Sequence, residues 1–233
     1  MNPDPRVDAG PIRPQLRLVL AISLDGRLAP AAGGAAQIGG PGDRRVLEES
    51  LAWADGCLIG AETLRRHGTT CLIHAGDLLE QRRQEGRPPQ PLAIAVSRRA
   101  AFPSDLPFFS QPLERWLLKQ GSCSGPAAGF QRVLPLACWS EALAGLGQAG
   151  VARLLVLGGG QLVASLLAEG WMDELQLTLC PRLLGGPHQW LPAAALVAPP
   201  LGHGWQLVEQ RRLEGEELLL RYRLDRSAAL PPG

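Results

Sequence analysis

Residues 154–169 read LLVLGGGQLVASLLAE. Residues 154–157 form an unbroken apolar run of the kind found in a buried strand, and from Leu162 through Leu166 and Leu167 the apolar positions return at helical spacing. The stretch is a strand, a turn and a helix. Gly158, Gly159 and Gly160 leave the turn without side chains, so its N–H groups can approach an anion closely while the positive end of the following helix faces it. A pyrophosphate fits such a junction, and so does a tight structural turn. The strict dinucleotide fingerprint fails, because Val163 stands where its third glycine belongs and no acidic residue follows about twenty positions on, at the end of a second parallel strand. A nucleotide held here sits in something other than the usual Rossmann arrangement.

The whole chain has 233 residues, 45% of them hydrophobic, which is ample for a packed core. Its formal net charge is +1 with both signs mixed along the sequence, so neither a nucleic-acid footprint nor a membrane-surface patch is expected. A small soluble ligand is. The five cysteines, Cys57, Cys71, Cys123, Cys138 and Cys180, are scattered and never in C-x-x-C spacing, as in reduced, mostly buried thiols. No signal core or membrane-length apolar run is present, so a cytoplasmic location is expected.

Residues 1–15 are proline-rich and read as a flexible N-terminal arm, with one domain over 16–226 and a short tail over 227–233. Residues 16–23, LRLVLAIS, form a first strand, apolar enough to lie centrally in a sheet covered on both faces. The Gly- and Ala-rich loop over 24–40 is long enough to fold over a ligand. A helix follows over 41–54, with Leu47, Leu51 and Ala54 on one face, then a short strand over 56–60 that ends in Gly60, Ala61, Glu62 and Thr63. Here a hydroxyl and backbone donors gather at a second strand-to-helix junction. Two such junctions suit a ligand with more than one phosphate.

Residues 78–90 read as a helix tail and loop, and residues 91–97 as a strand that empties into Ser97, Arg98 and Arg99, groups able to hold a phosphate monoester. Further strands are expected near Trp116 and over 131–136, with a helix over 140–148 capped by Ser140. Residues 173–180 alternate as a half-buried strand, and residues 205–213 and 217–224 close the chain as an antiparallel hairpin. The fold class is α/β: a mixed, mostly parallel central sheet with helices on both faces.

Four segments together resemble the reductase domain of bacterial riboflavin biosynthesis, a branch of the dihydrofolate-reductase-like superfamily. They are SLDGR at 23–27, ADGCLIGAETLR at 54–65, LGGGQLVASLL at 157–167 and DELQLTLCPRLLGG at 173–186. The resemblance implies a dihydrofolate-reductase-like three-layer fold, NADPH as hydride donor and 5-amino-6-(5-phosphoribosylamino)uracil as substrate, its ribosyl group reduced to ribityl. It places the nicotinamide near Ala21 and the loop reaching Gly39, and the pyrophosphate on Gly60, Thr63, Gly158, Gly159, Gly160 and Gln161. Ser97 and Arg98 would face the adenosine 2′-phosphate. Ser23, Asp25 and Leu157 fall on the substrate side, where Asp25 would order sugar hydroxyls or a proton-relaying water.

Three positions depart from the family pattern on that same side: Val19 replaces a lysine, His67 an aspartate and Leu157 a glutamate. His67 could stand in as proton donor. The departures leave room for two other readings, a reductase of the same fold acting on a pterin-like substrate and a non-catalytic NADP-binding protein. His67, Cys71 and His74 have spacings a zinc site could use, but no fourth ligand is evident, and no metal is expected. No zinc-deaminase signature occurs, so the accompanying deaminase is expected on a separate chain, and the family implies a homodimer.

Overall fold

The computed structural model describes residues 13–33, 38–99, 101–121, 125–191 and 203–229. Cys123, part of the loop over 24–40 and most of the N-terminal arm lie outside that set. Among the described residues, strands β1 (Gln15–Ser23), β2 (Gly56–Gly60), β3 (Leu92–Ser97), β4 (Arg115–Gln120), β5 (Arg132–Leu136), β6 (Arg153–Val156) and β7 (Glu174–Cys180) run parallel. Strands β8 (His203–Arg212) and β9 (Leu218–Ala229) join them antiparallel, in the order β5-β4-β3-β2-β6-β1-β7-β9-β8. The mostly parallel sheet and the closing hairpin are as the sequence pattern requires.

Two-residue periodicity sorts the core into layers. Leu16, Leu18 and Leu20 of β1, Leu58 of β2, Ile94 of β3 and Leu154 and Val156 of β6 face helices α4 (Trp139–Gln148) and α5 (Gly160–Ala168). The alternate residues Val19, Cys57 and Leu155 pack against α1 (Pro41–Trp53) and α3 (Gly76–Gln84), while Ile59, Ala93 and Ala95 pack with Leu64 of α2 (Ala61–His67). Both faces of the sheet are therefore covered.

Several local expectations change. Helix α4 begins one residue earlier, at Trp139, with Cys138 as its N-cap and no side-chain cap, so Ser140 lies inside the helix. Strand β7 is more than half-buried, because β1 and β9 flank it and helices cover the sheet; Glu174, Gln176 and Thr178, its polar residues, are all buried. Strand β9 continues to Ala229. Cys57 and Cys180 are buried, whereas Cys71 and Cys138 are exposed.

Helix α1 has no side-chain cap of its own at its start, and at its end only the Ala54 N–H turns back, onto the Ser50 and Leu51 carbonyls. At its start Gly40 offers no side chain, and Glu217, from the turn between β8 and β9, accepts the N–H of Gly40 at 2.6 Å and of Asp43 at 2.9 Å. At its end the buried Arg82 of α3 donates to the carbonyls of Leu51, Ala52 and Ala54 at 3.3, 2.9 and 2.7 Å. A guanidinium thus satisfies acceptors that every helix leaves open. Arg87 also donates to the carbonyls of Ala52 and Ala54, and the Ala54 N–H to that of Leu51, so each acceptor keeps one donor. Replacing Arg82 by methionine is therefore expected to destabilise the protein by roughly 1–2 kcal/mol. Arg83→Met, on the exposed side of the same helix, is expected to stay within about 0.5 kcal/mol. Urea denaturation of both variants measures the difference.

Candidate functional site

Parallel strands end together, and the carboxyl ends of β1, β2, β3 and β6 open onto one cavity of about 2380 Å³. A single ligand commonly fills roughly 300–1,000 Å³, so the space accommodates two ligands side by side.

Its back wall is backbone. Strands β2 and β6 are neighbours, which brings the two strand-to-helix junctions into contact: the N–H of Gly60 points at the carbonyl of Gly158 at 3.4 Å. Gly158 and Gly159 adopt φ of +110° and +106°, a region L side chains rarely enter. A Cβ on Gly159 would stand 3.4 Å from both Gly60 Cα and Thr63 Oγ1. Gly159 is the N-cap of α5 and no side chain caps that helix, so its first-turn N–H groups face the cavity without a side-chain acceptor. This is an anion cradle built where a side chain would fill it.

Next along the sheet, Ser97 ends β3. Its buried hydroxyl accepts the Arg99 N–H at 3.2 Å, while Arg98 and Arg99 are exposed on the cavity rim. Of the residues singled out from the sequence, Ala21, Gly39, Gly60, Thr63, Ser97, Arg98, Leu157, Gly158, Gly159, Gly160, Gln161 and His67 all line this one cavity. His67 is the exposed last residue of α2.

Ser23 and Asp25 are brought together but fall outside the lining residues. Ser23 donates to Asp25 at 2.6 Å, and the Asp25 carboxylate also accepts the N–H groups of Leu184 at 3.0 Å and Gly185 at 2.8 Å. These bonds, the Ser23 hydroxyl foremost, hold its titration well below the usual carboxylate range. The geometry is that of a clamp between the loop after β1 and the segment after β7.

Val19 and Leu157 extend the parallel register of Leu18 with Val156, line the cavity and pack into the same apolar cluster. Two of the three positions singled out as departures, Val19 and Leu157, therefore form one continuous apolar floor with Leu47. One carboxylate at this floor was missed by sequence reading. Asp43, on the first turn of α1, lines the cavity and accepts the Thr178 hydroxyl; burial raises its titration, and the nearby Glu217 charge adds to that. Its signal was faint: an acidic residue at a helix start reads as an ordinary end-of-helix charge.

The RibD C-terminal domain model matches residues 14–208. The chain belongs to the RibD C-terminal domain family. A curated relative, 2,5-diamino-6-ribosylamino-4(3H)-pyrimidinone 5′-phosphate reductase from Archaeoglobus fulgidus, is 26% identical over 185 residues, covering 75% of this chain and 84% of the relative. A pyrimidine reductase-like protein from Corynebacterium diphtheriae superposes with a TM-score of 0.75 at 20% identity, covering 92% of this chain and 93% of the other. Dihydrofolate reductase from Enterococcus faecalis, solved with NADP(H), shares the fold at a TM-score of 0.51 and 14% identity, covering 91% and 96%. The dihydrofolate-reductase-like fold class stands.

The cradle is testable by adding single methyl groups. Gly159→Ala is expected to weaken binding of a nicotinamide dinucleotide at least tenfold by fluorescence titration and to lower stability by about 1–2 kcal/mol through its strained φ. Gly145→Ala, in α4 with nothing within 4 Å of the added methyl, is expected to leave binding unchanged and to raise stability by about 0.5–1 kcal/mol.

Proposed function

We propose that this chain is an NADPH-dependent reductase of riboflavin biosynthesis that converts the ribosylamino group of a pyrimidine 5′-phosphate to ribitylamino. The observation that carries the reading is the pair of side-chain-free junctions at Gly60 and Gly158–Gly160, set beside the end of β1 in a cavity with room for a second ligand. When bound, NADPH supplies a hydride to the C1′ carbon of the ring-opened sugar, with one proton completing the reduction.

The chain's residues supply orientation. The α5 first turn and Thr63 hold the pyrophosphate, and Ser97 with Arg98 faces the adenosine end. Ala21 and Gly39 border the nicotinamide, and the Val19, Leu47 and Leu157 floor carries the pyrimidine while keeping water from one of its faces. His67, which lines the cavity together with His74 and His188, is the imidazole assigned to pass a proton inward. Asp25 acts at one remove, by fixing the loop that borders the cavity.

The apolar floor also favours a second reading, a reductase of the same fold with a pterin-like substrate. Steady-state NADPH oxidation separates the two. Turnover with the phosphoribosylaminopyrimidine supports the first, turnover with pterins alone supports the second, and NADPH binding without turnover on either contradicts both. A homodimer through the open edge of β8 and a cytoplasmic location belong to the same proposal. Among the described residues no helix is long and apolar enough to cross a membrane.

If Arg98 meets the 2′-phosphate, Arg98→Ala is expected to raise the KM for NADPH roughly 10- to 100-fold and to leave that for NADH nearly unchanged, because one charge-assisted contact is lost. Equal losses for both cofactors would exclude that contact.

A further inference from the structure

The amino end of the sheet carries a second cavity, of about 450 Å³, between the start of β1, the start of β7 and the far half of β9. Ala21, on the wall of the first cavity, stands roughly 20 Å along β1 from Gln15 at about 3.3 Å per residue, so the two spaces are separate. The ionisable lining of the second is three arginines, Arg13, Arg223 and Arg226, against one carboxylate, Asp173. That is an excess of two positive charges. Asp225, between the last two arginines in β9, does not line the cavity.

The carboxylates at this end are already committed. Asp173 accepts both arms of the Arg13 fork at 2.8 Å, the Leu16 N–H at 2.9 Å and Arg226 at 2.8 Å. Glu174, next in sequence, is buried and belongs first to Arg17, which is also buried, lies 3.8 Å over the Trp53 ring and donates to Glu174 at 2.8 Å. A buried guanidinium left without its counter-charge is strongly destabilising, so that pair is fixed. Arg223 reaches the other Glu174 oxygen only at 3.2 and 3.3 Å, and Arg221 stands 3.6 Å from the same carboxylate. Three guanidiniums thus share one carboxylate, with Arg223 among the two held loosely. Arg223 and Arg226 are both more than half exposed.

Like charges gathered in this way repel one another, and the planar fork of a guanidinium matches a phosphate. Pro14 and Leu224 add apolar surface beside the arginines, and Gln15 adds an amide.

We propose that this cavity is a second ligand site, for a small phosphate monoester with an apolar or planar body. The dianion supplies the two negative charges that the lining lacks, meeting Arg223 and Arg226, while the body rests on Pro14 and Leu224. Bound there, it ties β9 to the starts of β1 and β7 and stabilises the folded chain by mass action. A sulfate monoester carries a single charge and leaves half of the excess unmatched. The inference stands apart from the reductase reading, since no residue lines both cavities.

Isothermal titration calorimetry of the full chain in excess NADPH tests it, with phenyl phosphate as the probe at pH 8, where that ester is a dianion. Saturable binding is expected, with a Kd below about 1 mM. Phenyl sulfate, a monoanion of nearly the same shape, is expected to bind at least tenfold more weakly. Arg223→Gln is expected to weaken phenyl phosphate at least tenfold and to leave NADPH affinity unchanged. Binding that does not saturate, equal affinity for the two esters, or equal affinity in the variant would overturn the proposal.

Should the variant fail to fold, wild type decides through its tryptophan indole N–H resonances. Arg13 lies 5.8 Å over the Trp171 ring at the edge of this cavity, whereas Trp139 lines the other. A shift of the Trp171 signal on adding phenyl phosphate supports the site, and a shift confined to Trp139 overturns it.

Discussion

Everything at the cavity depends on two stretches of bare backbone touching. Strands β2 and β6 lie side by side; β2 ends in Gly60, and Gly158 and Gly159 lie between β6 and α5. A methyl group on Gly159 would fill the gap up to contact with Gly60 and Thr63, and the positive φ at Gly158 and Gly159 turns the chain sharply enough to start α5 at the cavity wall. The approach of Gly60 to Gly158 and the uncapped first turn of α5 are two consequences of one steric condition. Backbone N–H groups are left for an anion because no side chain was available to satisfy them.

The rest of the cavity is held by carboxylates reaching across long stretches of sequence. Glu217, at the chain's closing hairpin, caps α1 and so fixes Gly40 and Asp43 at the cavity edge. Asp25 ties the loop after β1 to Leu184 and Gly185. Glu48 caps the approach to α3 by accepting the N–H groups of His74 and Ala75 at 2.9 and 2.8 Å. Each side chain satisfies backbone donors that its own neighbourhood leaves open, and in doing so positions a segment of cavity wall. Asp43 differs in accepting a hydroxyl and facing the open space.

The sequence showed the fold because its apolar runs are short, dense and punctuated by glycine. A strand buried on both faces has little freedom in composition, so β1, β2, β3 and β6 stood out. The glycine junctions were visible for the same reason: a missing side chain is a local fact. What the sequence did not show were partnerships between distant residues. Nothing near Arg82 indicates that it caps α1, and nothing near Glu217 indicates that it holds Gly40. Ser140 looked like a helix cap because hydroxyls often are, but packing of Trp139 into the core starts the helix a residue earlier. Asp25 drew attention as a loop carboxylate and Asp43 did not, although it is Asp43 that lines the cavity. Only the fold says which carboxylate has open space in front of it.

The claim that the glycine junction is the dinucleotide cradle is tested most directly by amide hydrogen exchange with and without NADPH. Protection is expected to rise at the amides of Gly159, Gly160, Gln161 and Leu162, with little change at the last turn of α3, none of whose residues lines the cavity. Saturable NADPH binding that leaves those four amides exchanging at their free rate would contradict it.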